Sequence, residues 1–278
     1  MVKTRLVAEI GINGNGDIQL TKELIQMAKD VRFDYVKFQK RHIPDCYTEE
    51  ELNKPRESPW GTTTREQKYG IEYTKEGYDE IDAYCKSLSI PWFASPWDEP
   101  SVDFICQYDI PYIKIPSAYV THLQLLRHIK SKNKPTILSV GMSTKNEVDE
   151  ALAVLGDSCQ VIMHTTSSYP TPLNELNLNK IRTLRYEYGD RYEIGYSNHS
   201  ESVMAVIYAA ALGATWIEAH ITKGRHLYGS DQAASIERRG LEVIQDWTQD
   251  IPVAFGDGDW KVMDSEIPVM KKLRKWSE

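Results

Sequence analysis

The chain alternates between short β-prone runs and longer stretches in which apolar positions recur at helical spacing. The β-prone runs are RLVAEIGI (5–12), YVKFQK (35–40), IPWFAS (90–95), YIKIPS (112–117), PTILSVGM (135–142), CQVIMHTTS (159–167), YEIGYSN (192–198) and WIEAHIT (216–222). Several are apolar on both faces, as strands of a parallel sheet covered on both sides must be. Amphipathic segments follow at 20–31, 75–88, 99–108, 122–132, 144–155, 177–188, 201–212 and 236–249. In one of them Val148, Ala151, Leu152 and Leu155 share a face, and Thr144 or Ser143 just before suits an N-cap. Eight strand–helix units in succession predict an α/β fold, a (β/α)8 barrel forming a single domain over residues 1–278. Two stretches fall outside the alternation. Residues 41–73, after the second run, are too polar for a core and are expected to be a functional cover. Residues 252–278 form a C-terminal extension.

Composition narrows the class. With 278 residues, 41% hydrophobic and 26% charged, the chain has the make-up of an ordinary globular protein. A net charge of −7 and the lack of a basic stripe argue against a nucleic-acid partner. The four cysteines, Cys46, Cys85, Cys106 and Cys159, form no CxxC pair, which favours a reduced, cytoplasmic setting. The N-terminal apolar run is too short for a signal peptide, and no run approaches the roughly 20 residues of a membrane helix.

In a (β/α)8 barrel the chemistry sits where strands end and the following loops begin. Polar residues at those ends are Glu9, Lys37, Gln39, Ser95, Lys114, Ser117, Ser139, Ser167, Tyr169, Ser197, His199, Glu218 and His220, with Asp231 in the loop after the last strand. Lysines inside apolar strands are costly unless an anion compensates them. The hydroxyls around them suit a phosphate or carboxylate. A lone strand histidine is commonly a hydrogen-bonded core residue. Two at the ends of neighbouring strands, about 5 Å apart, can instead share a metal ion. GINGNG (11–16) resembles a phosphate-cradling loop, but a lone glycine pattern reads first as a plain turn. The residues point to a barrel enzyme acting on an anionic small molecule, with a metal ion as one option, and select no reaction.

The motifs AEIGINGNG, VKFQ, YIKIPSA, KPTILSVGMST, SSYPTP, IGYSNHS, IEAHIT and GSDQAAS, in this order, resemble those of the sialic acid synthase family. The resemblance implies a TIM barrel that condenses phosphoenolpyruvate with an open-chain aldose, such as N-acetylmannosamine, to a 3-deoxy-2-ulosonic acid and phosphate. It implies a divalent metal, Mn2+ first with Mg2+ or Co2+ as alternatives, held by His199 and His220. Lys37 and Lys114 would grip phosphoenolpyruvate, with Ser95, Ser117, Ser139 and Ser197 around it and Gln39 beside it. Ser167 replaces an asparagine found in some members. Tyr169 and Asp231 would lie on the sugar side, and Glu9 near the reacting carbons, with Glu9 and Asp231 both candidates for proton transfer. The partners implied are these two substrates, with neither nucleic acid nor membrane, and a homo-oligomer is compatible.

Two departures bear on the acceptor. The family's C-terminal antifreeze-like domain, which brings an arginine to the sugar, is not expected here, so that arginine must come from elsewhere in the chain, where Arg41, Arg56, Arg65 or Arg225 could substitute, be supplied by another chain, or be unnecessary. Ala118-Tyr119 replaces a glycine–glutamate pair that touches the sugar. The alternative readings are another divalent-metal barrel aldolase or hydrolase, and a non-catalytic sugar-binding barrel.

Overall fold

The computed structural model describes residues 3–276; the two outermost residues at each end of the expected 1–278 domain lie outside the described residues. Eight parallel strands close into a barrel. They are β1 (Arg5–Gly11), β2 (Tyr35–Lys40), β3 (Trp92–Pro96), β4 (Ile113–Ile115), β5 (Thr136–Ser139), β6 (Cys159–His164), β7 (Glu193–Asn198) and β8 (Trp216–His220). Strand β8 returns to β1 with Arg5 opposite Trp216 and Glu9 opposite His220, which completes the ring. The helices that follow the strands in turn are α1 (Ile18–Asp30), α2 (Lys75–Ser87), α3 (Glu99–Ile105), α4 (Leu123–Ser131), α5 (Lys145–Leu155), α6 (Lys180–Tyr188), α7 (Val203–Ala211) and α8 (Arg238–Phe255).

Local rules hold well. The expected face of α5, Val148, Ala151, Leu152 and Leu155, is buried, and Thr144 and Glu147 form a reciprocal capping box at its start. Such a cap contributes about 1 kcal/mol. The strands are shorter than the apolar runs suggest. β5 stops at Ser139 and β6 at His164. Of the remaining residues of each run, Val140 N–H still bonds the Met163 carbonyl at 3.0 Å, Gly141 N–H donates to Ser117 Oγ at 2.9 Å, and Thr165 Oγ1 lies 3.2 Å from His199 Nδ1. Helix α8 continues past 249 to Phe255, so the expected extension starts inside it.

The 41–73 segment is not the purely polar cover expected. It folds as two short helices (Ile43–Cys46 and Glu49–Leu52), a hairpin (Pro55–Ser58 with Gly61–Thr63) and a third helix (Thr64–Ile71). Ile43, Leu52 and Ile71 are buried, as is Tyr73 at its end. It is also fastened down. Tyr73 Oη lies 2.5 Å from Thr21 Oγ1, and Lys40 pairs with Glu72 at 2.9 Å. Gly16 lies directly against this segment. A Cβ there would meet the Gly70 carbonyl oxygen at 2.1 Å, and its φ of +66° favours glycine independently. Trp60 packs edge-on against Tyr228 of the loop after β8 at 5.5 Å. The segment is a roof resting on the β1 and β8 loops. Among the described residues no helix is long and apolar enough to cross a membrane.

Candidate active site

The strand ends and the loops that follow them line a cavity of about 160 Å3. Its floor is a buried quartet of charges. Lys37 Nζ lies 2.9 Å from Glu9 Oε2 and 3.5 Å from Glu218 Oε1, and Lys114 Nζ lies 2.9 Å from Glu218 Oε2. The register explains the pairing, because Lys37 on β2 sits opposite Glu9 on β1. Burial alone would lower the Lys37 ammonium, but Glu218 and Glu9 outweigh it and hold it above its ordinary value. For Lys114 burial wins, helped by the like charge of Lys37, and its ammonium falls below the ordinary value. Burial presses the Glu218 carboxyl upward, yet Lys114 and Lys37 overcome this and keep it well below the usual carboxylate range. Glu218 is therefore the counterion shared by both lysines.

Hydroxyls ring this floor. Lys37 donates to Ser95 Oγ at 3.1 Å, and Ser197 Oγ donates to Glu218 Oε1 at 3.0 Å. Ser117 Oγ accepts the Gly141 N–H at 2.9 Å. Gly141 has no room for a side chain: a Cβ would meet Ser167 Oγ at 2.5 Å and Ser117 Oγ at 2.9 Å. Ser139 Oγ is buried without a hydrogen-bond partner, although it lines the cavity. A buried unpaired hydroxyl costs roughly 1–3 kcal/mol unless a ligand meets it.

On the other wall His199 and His220 stand with ring centroids 5.5 Å apart. His199 Nδ1 lies 2.8 Å from the Thr166 carbonyl, which can only accept, so Nδ1 carries the proton and the Nε2 lone pair faces the Tyr169 hydroxyl at 2.9 Å. Burial and the neighbouring His220 push the His199 imidazole down to about 3, so the ring is neutral at pH 7. His220 Nδ1 is buried without a hydrogen-bond partner, and Asp231 Oδ2 is 3.6 Å from it. Two imidazoles facing one cavity fit a divalent cation whose other ligands are oxygens of substrate or water. Among the described residues no group of three His, Cys, Asp or Glu side chains is arranged to hold an ion alone.

The family model described as "NeuB family" matches residues 24–259. The chain belongs to the NeuB family. It is 34% identical to the N,N'-diacetyllegionaminic acid synthase of Campylobacter jejuni, over 99% of this chain and 84% of that one. To the N-acetylneuraminate-9-phosphate synthase of Drosophila melanogaster it is 33% identical, over 86% of this chain and 65% of the relative. Among solved structures, the N-acetylneuraminic acid (sialic acid) synthetase of Leptospira borgpetersenii, in complex with citrate, superposes with a TM-score of 0.84 at 26% identity, covering 98% of this chain and 93% of that one. The resemblance drawn from the motifs is thereby borne out.

In this NeuB-family barrel Glu9, Lys37, Gln39, Ser95, Lys114, Ser117, Ser139, Ser167, Tyr169, Ser197, His199 and His220 all line one cavity. Asp231 does not line it; it stands at the rim beside His220. The sequence reading named Glu218 among the strand-end polar residues but gave it no role, although a carboxylate in an apolar strand carries the same warning as the two lysines. It left out Trp97 and Met142, which line the cavity from loops. Of the four arginines expected near the acceptor, Arg65 pairs with Glu49 at 2.5 Å and Arg225 pairs with Glu201, both on the surface. Arg41 is the one in contact with the cavity wall. It stacks on Trp97 with its guanidinium carbon 3.9 Å from the ring centre, and it donates to Gln39 Oε1 at 2.7 Å. Of the Ala118-Tyr119 pair, Ala118 lines the cavity and Tyr119 packs edge-on against Trp97.

Proposed function

We propose that this single barrel domain condenses phosphoenolpyruvate with an open-chain aldose, giving a 3-deoxy-2-ulosonic acid of the sialic acid type and inorganic phosphate. The supporting observation is that the buried quartet Glu9–Lys37–Glu218–Lys114 lines one cavity with the unpartnered Ser139 hydroxyl and with His199 and His220. Lys37 and Lys114 hold the phosphate and carboxylate, with Ser95, Ser117, Ser139, Ser167 and Ser197 as hydroxyl donors. Gln39 orients the enolpyruvate next to Glu9, to which its Nε2 donates at 2.8 Å. The C3 carbon of phosphoenolpyruvate attacks the aldehyde carbon and forms the new C–C bond, while the aldehyde oxygen takes up a proton. Water adds at C2, and the tetrahedral carbon expels phosphate by breaking the C2–O bond. Glu9 and Asp231 supply the two proton-transfer sites, one on the floor and one at the rim. Tyr169, stacked on His199 at 4.1 Å, borders the aldose. A divalent cation held by His199 and His220, Mn2+ by preference, supplies a Lewis acid for the aldehyde oxygen. A cytoplasmic setting suits the free thiols.

The test is phosphate release from phosphoenolpyruvate with Mn2+ and a panel of aldoses. Release that depends on the aldose, and that stops when the metal is chelated, is the expected result. Phosphoenolpyruvate labelled with 18O at the bridging position delivers its label to phosphate if the C–O bond breaks. Phosphate release independent of any aldose would point to a hydrolase instead.

A further inference from the structure

Arg41, the first residue after β2, ends a row of polar groups that runs down into the floor of the cavity. Its Nη2 donates to Gln39 Oε1 at 2.7 Å, Gln39 Nε2 donates to Glu9 Oε1 at 2.8 Å, and Glu9 Oε2 lies 2.9 Å from Lys37 Nζ. Gln39, Glu9 and Lys37 line the cavity, and Arg41 does not. The backbone leaves room for the row at Gly11. A Cβ there would meet Glu9 Oε1 at 2.8 Å and Gln39 Nε2 at 3.0 Å.

A glutamine amide has two ends of nearly the same shape, one that accepts and one that donates. A guanidinium only donates, so Arg41 decides that Oε1 faces it and that Nε2 faces Glu9. Turned over, the amide would set its oxygen against the Glu9 carboxylate. The guanidinium does little else in the empty protein. Its Nε and Nη1 are buried without partners, and among the described residues no carboxylate lies within ion-pair distance of it. It is stacked on Trp97 and spends its one side-chain hydrogen bond on a neutral amide. A covered cation with unpaired donors is a poor choice for stability alone. Its backbone is fixed on either side: Arg41 N–H donates to Glu72 Oε1 at 3.2 Å, and His42 N–H to Asp98 Oδ2 at 2.7 Å.

We propose that Arg41 is a positioning residue for the condensation: it holds the Gln39 amide one way round, and the amide in turn holds Glu9 in place for proton transfer, while Arg41 itself touches neither substrate. The proposal rests on the function given above. With the amide on Oε1 and the Lys37 ammonium on Oε2, the Glu9 carboxylate is gripped at both oxygens and cannot rotate. Without Arg41 the amide is free to turn over, and one of the two grips is lost. The role differs from that of an arginine that binds the sugar, because it acts on the rate of the chemical step and not on the affinity for the aldose.

The experiment is a double-substitution cycle in steady-state kinetics, with phosphoenolpyruvate, Mn2+ and the aldose that the wild type turns over best. Arg41→Met should lower kcat about tenfold and leave both KM values within about twofold. Gln39→Leu should lower kcat by at least as much. In the Gln39→Leu protein, Arg41→Met should then change kcat by less than about twofold, because the amide through which it acts is gone. Arg41→Gln repeats the cycle with a polar replacement, and calorimetric binding of phosphoenolpyruvate shows that each variant keeps its cavity. An unchanged kcat in Arg41→Met overturns the proposal. So does a rise of about tenfold in the aldose KM at unchanged kcat, the mark of an arginine that meets the sugar. Losses that multiply in the double variant overturn it as well, since Arg41 would then act by a route other than Gln39. If no aldose is turned over, the proposed function itself fails, and the Gln39 amide decides the positioning role alone. Its side-chain 15N–1H signals, assigned by their absence in Gln39→Leu, should stand apart from those of exposed glutamines and move among them in Arg41→Met. Signals that Arg41→Met leaves in place overturn the proposal.

Discussion

The floor and the roof of the cavity are built from the same residue types in opposite ways. On the floor, each cation has a carboxylate within 2.9 Å, and all four charges are carried on strands locked by the barrel ladder. In the roof, the cations sit on short helices, a hairpin and the turn after β2, and Arg41 is held by Trp97 and Gln39 instead of a carboxylate. The floor is balanced before a ligand arrives, so it is stable empty and can serve any member of the family. The roof is held instead by packing and by ion pairs near the surface, such as Arg65 with Glu49 and Lys40 with Glu72. A reaction common to many enzymes is placed on the strands, and the choice of partner on segments that vary.

The largest effect that separates the two is removal of the shared counterion. Glu218→Leu leaves two buried ammonium groups with one carboxylate, and urea unfolding should show a loss of about 3–5 kcal/mol. Asp231→Ala at the rim should cost less than about 1 kcal/mol by the same measure. Because the lysines depress the Glu218 carboxyl, its stabilisation is complete above the unfolded value of about 4.3 and is lost as pH falls further. Glu218→Gln should therefore flatten the acid limb of the stability curve below that pH.

Next in size are the lysines. Lys37→Met and Lys114→Met should each reduce kcat/KM for phosphoenolpyruvate by about 30- to 1000-fold, or roughly 2–4 kcal/mol, with the aldose KM moving far less. His199→Ala or His220→Ala should abolish metal-dependent turnover and lower bound metal in equilibrium dialysis, while the thermal midpoint stays within a few degrees. Trp60→Ala loosens the roof against Tyr228. It should raise the aldose KM about tenfold while calorimetric binding of phosphoenolpyruvate holds, and an equal loss of both would erase the distinction between floor and roof. Smallest is Ser139→Ala. Its hydroxyl has no partner to lose in the empty protein, so stability should hold within about 0.5 kcal/mol while the phosphoenolpyruvate KM rises a few-fold.

How much of this was legible in the sequence follows the same division. The eight strands announce themselves by length and apolarity, and a charged residue inside such a run is conspicuous, so Lys37, Lys114, His199 and His220 are visible at once. Glu218 was visible by the same criterion, but its role depends on which strands meet across the ring, and that pairing is not encoded locally. Ser139 and Ser167 were found as strand-end hydroxyls, although β6 stops at His164, short of its apolar run. The roof is the least legible part. Its fit rests on contacts far apart in the chain, such as Gly16 against Gly70 and Trp60 against Tyr228, which leave no periodicity. Arg41, Arg56, Arg65 and Arg225 are equivalent as letters, and only the fold sends two of them to surface ion pairs.

Glu218 also bears on how the cycle ends. Both lysines already have a carboxylate partner, so a phosphoenolpyruvate bound as proposed would take a share of two ammonium groups from a resident competitor. The site would then work as an ion exchanger, with its counterion anchored to the wall. Once the condensation has separated phosphate from the sugar acid, each product holds fewer of the contacts than the substrate did, and Glu218 stands 2.9 Å from Lys114 to reclaim it. The same carboxylate that makes an empty barrel tolerable also keeps it from being trapped by its own products.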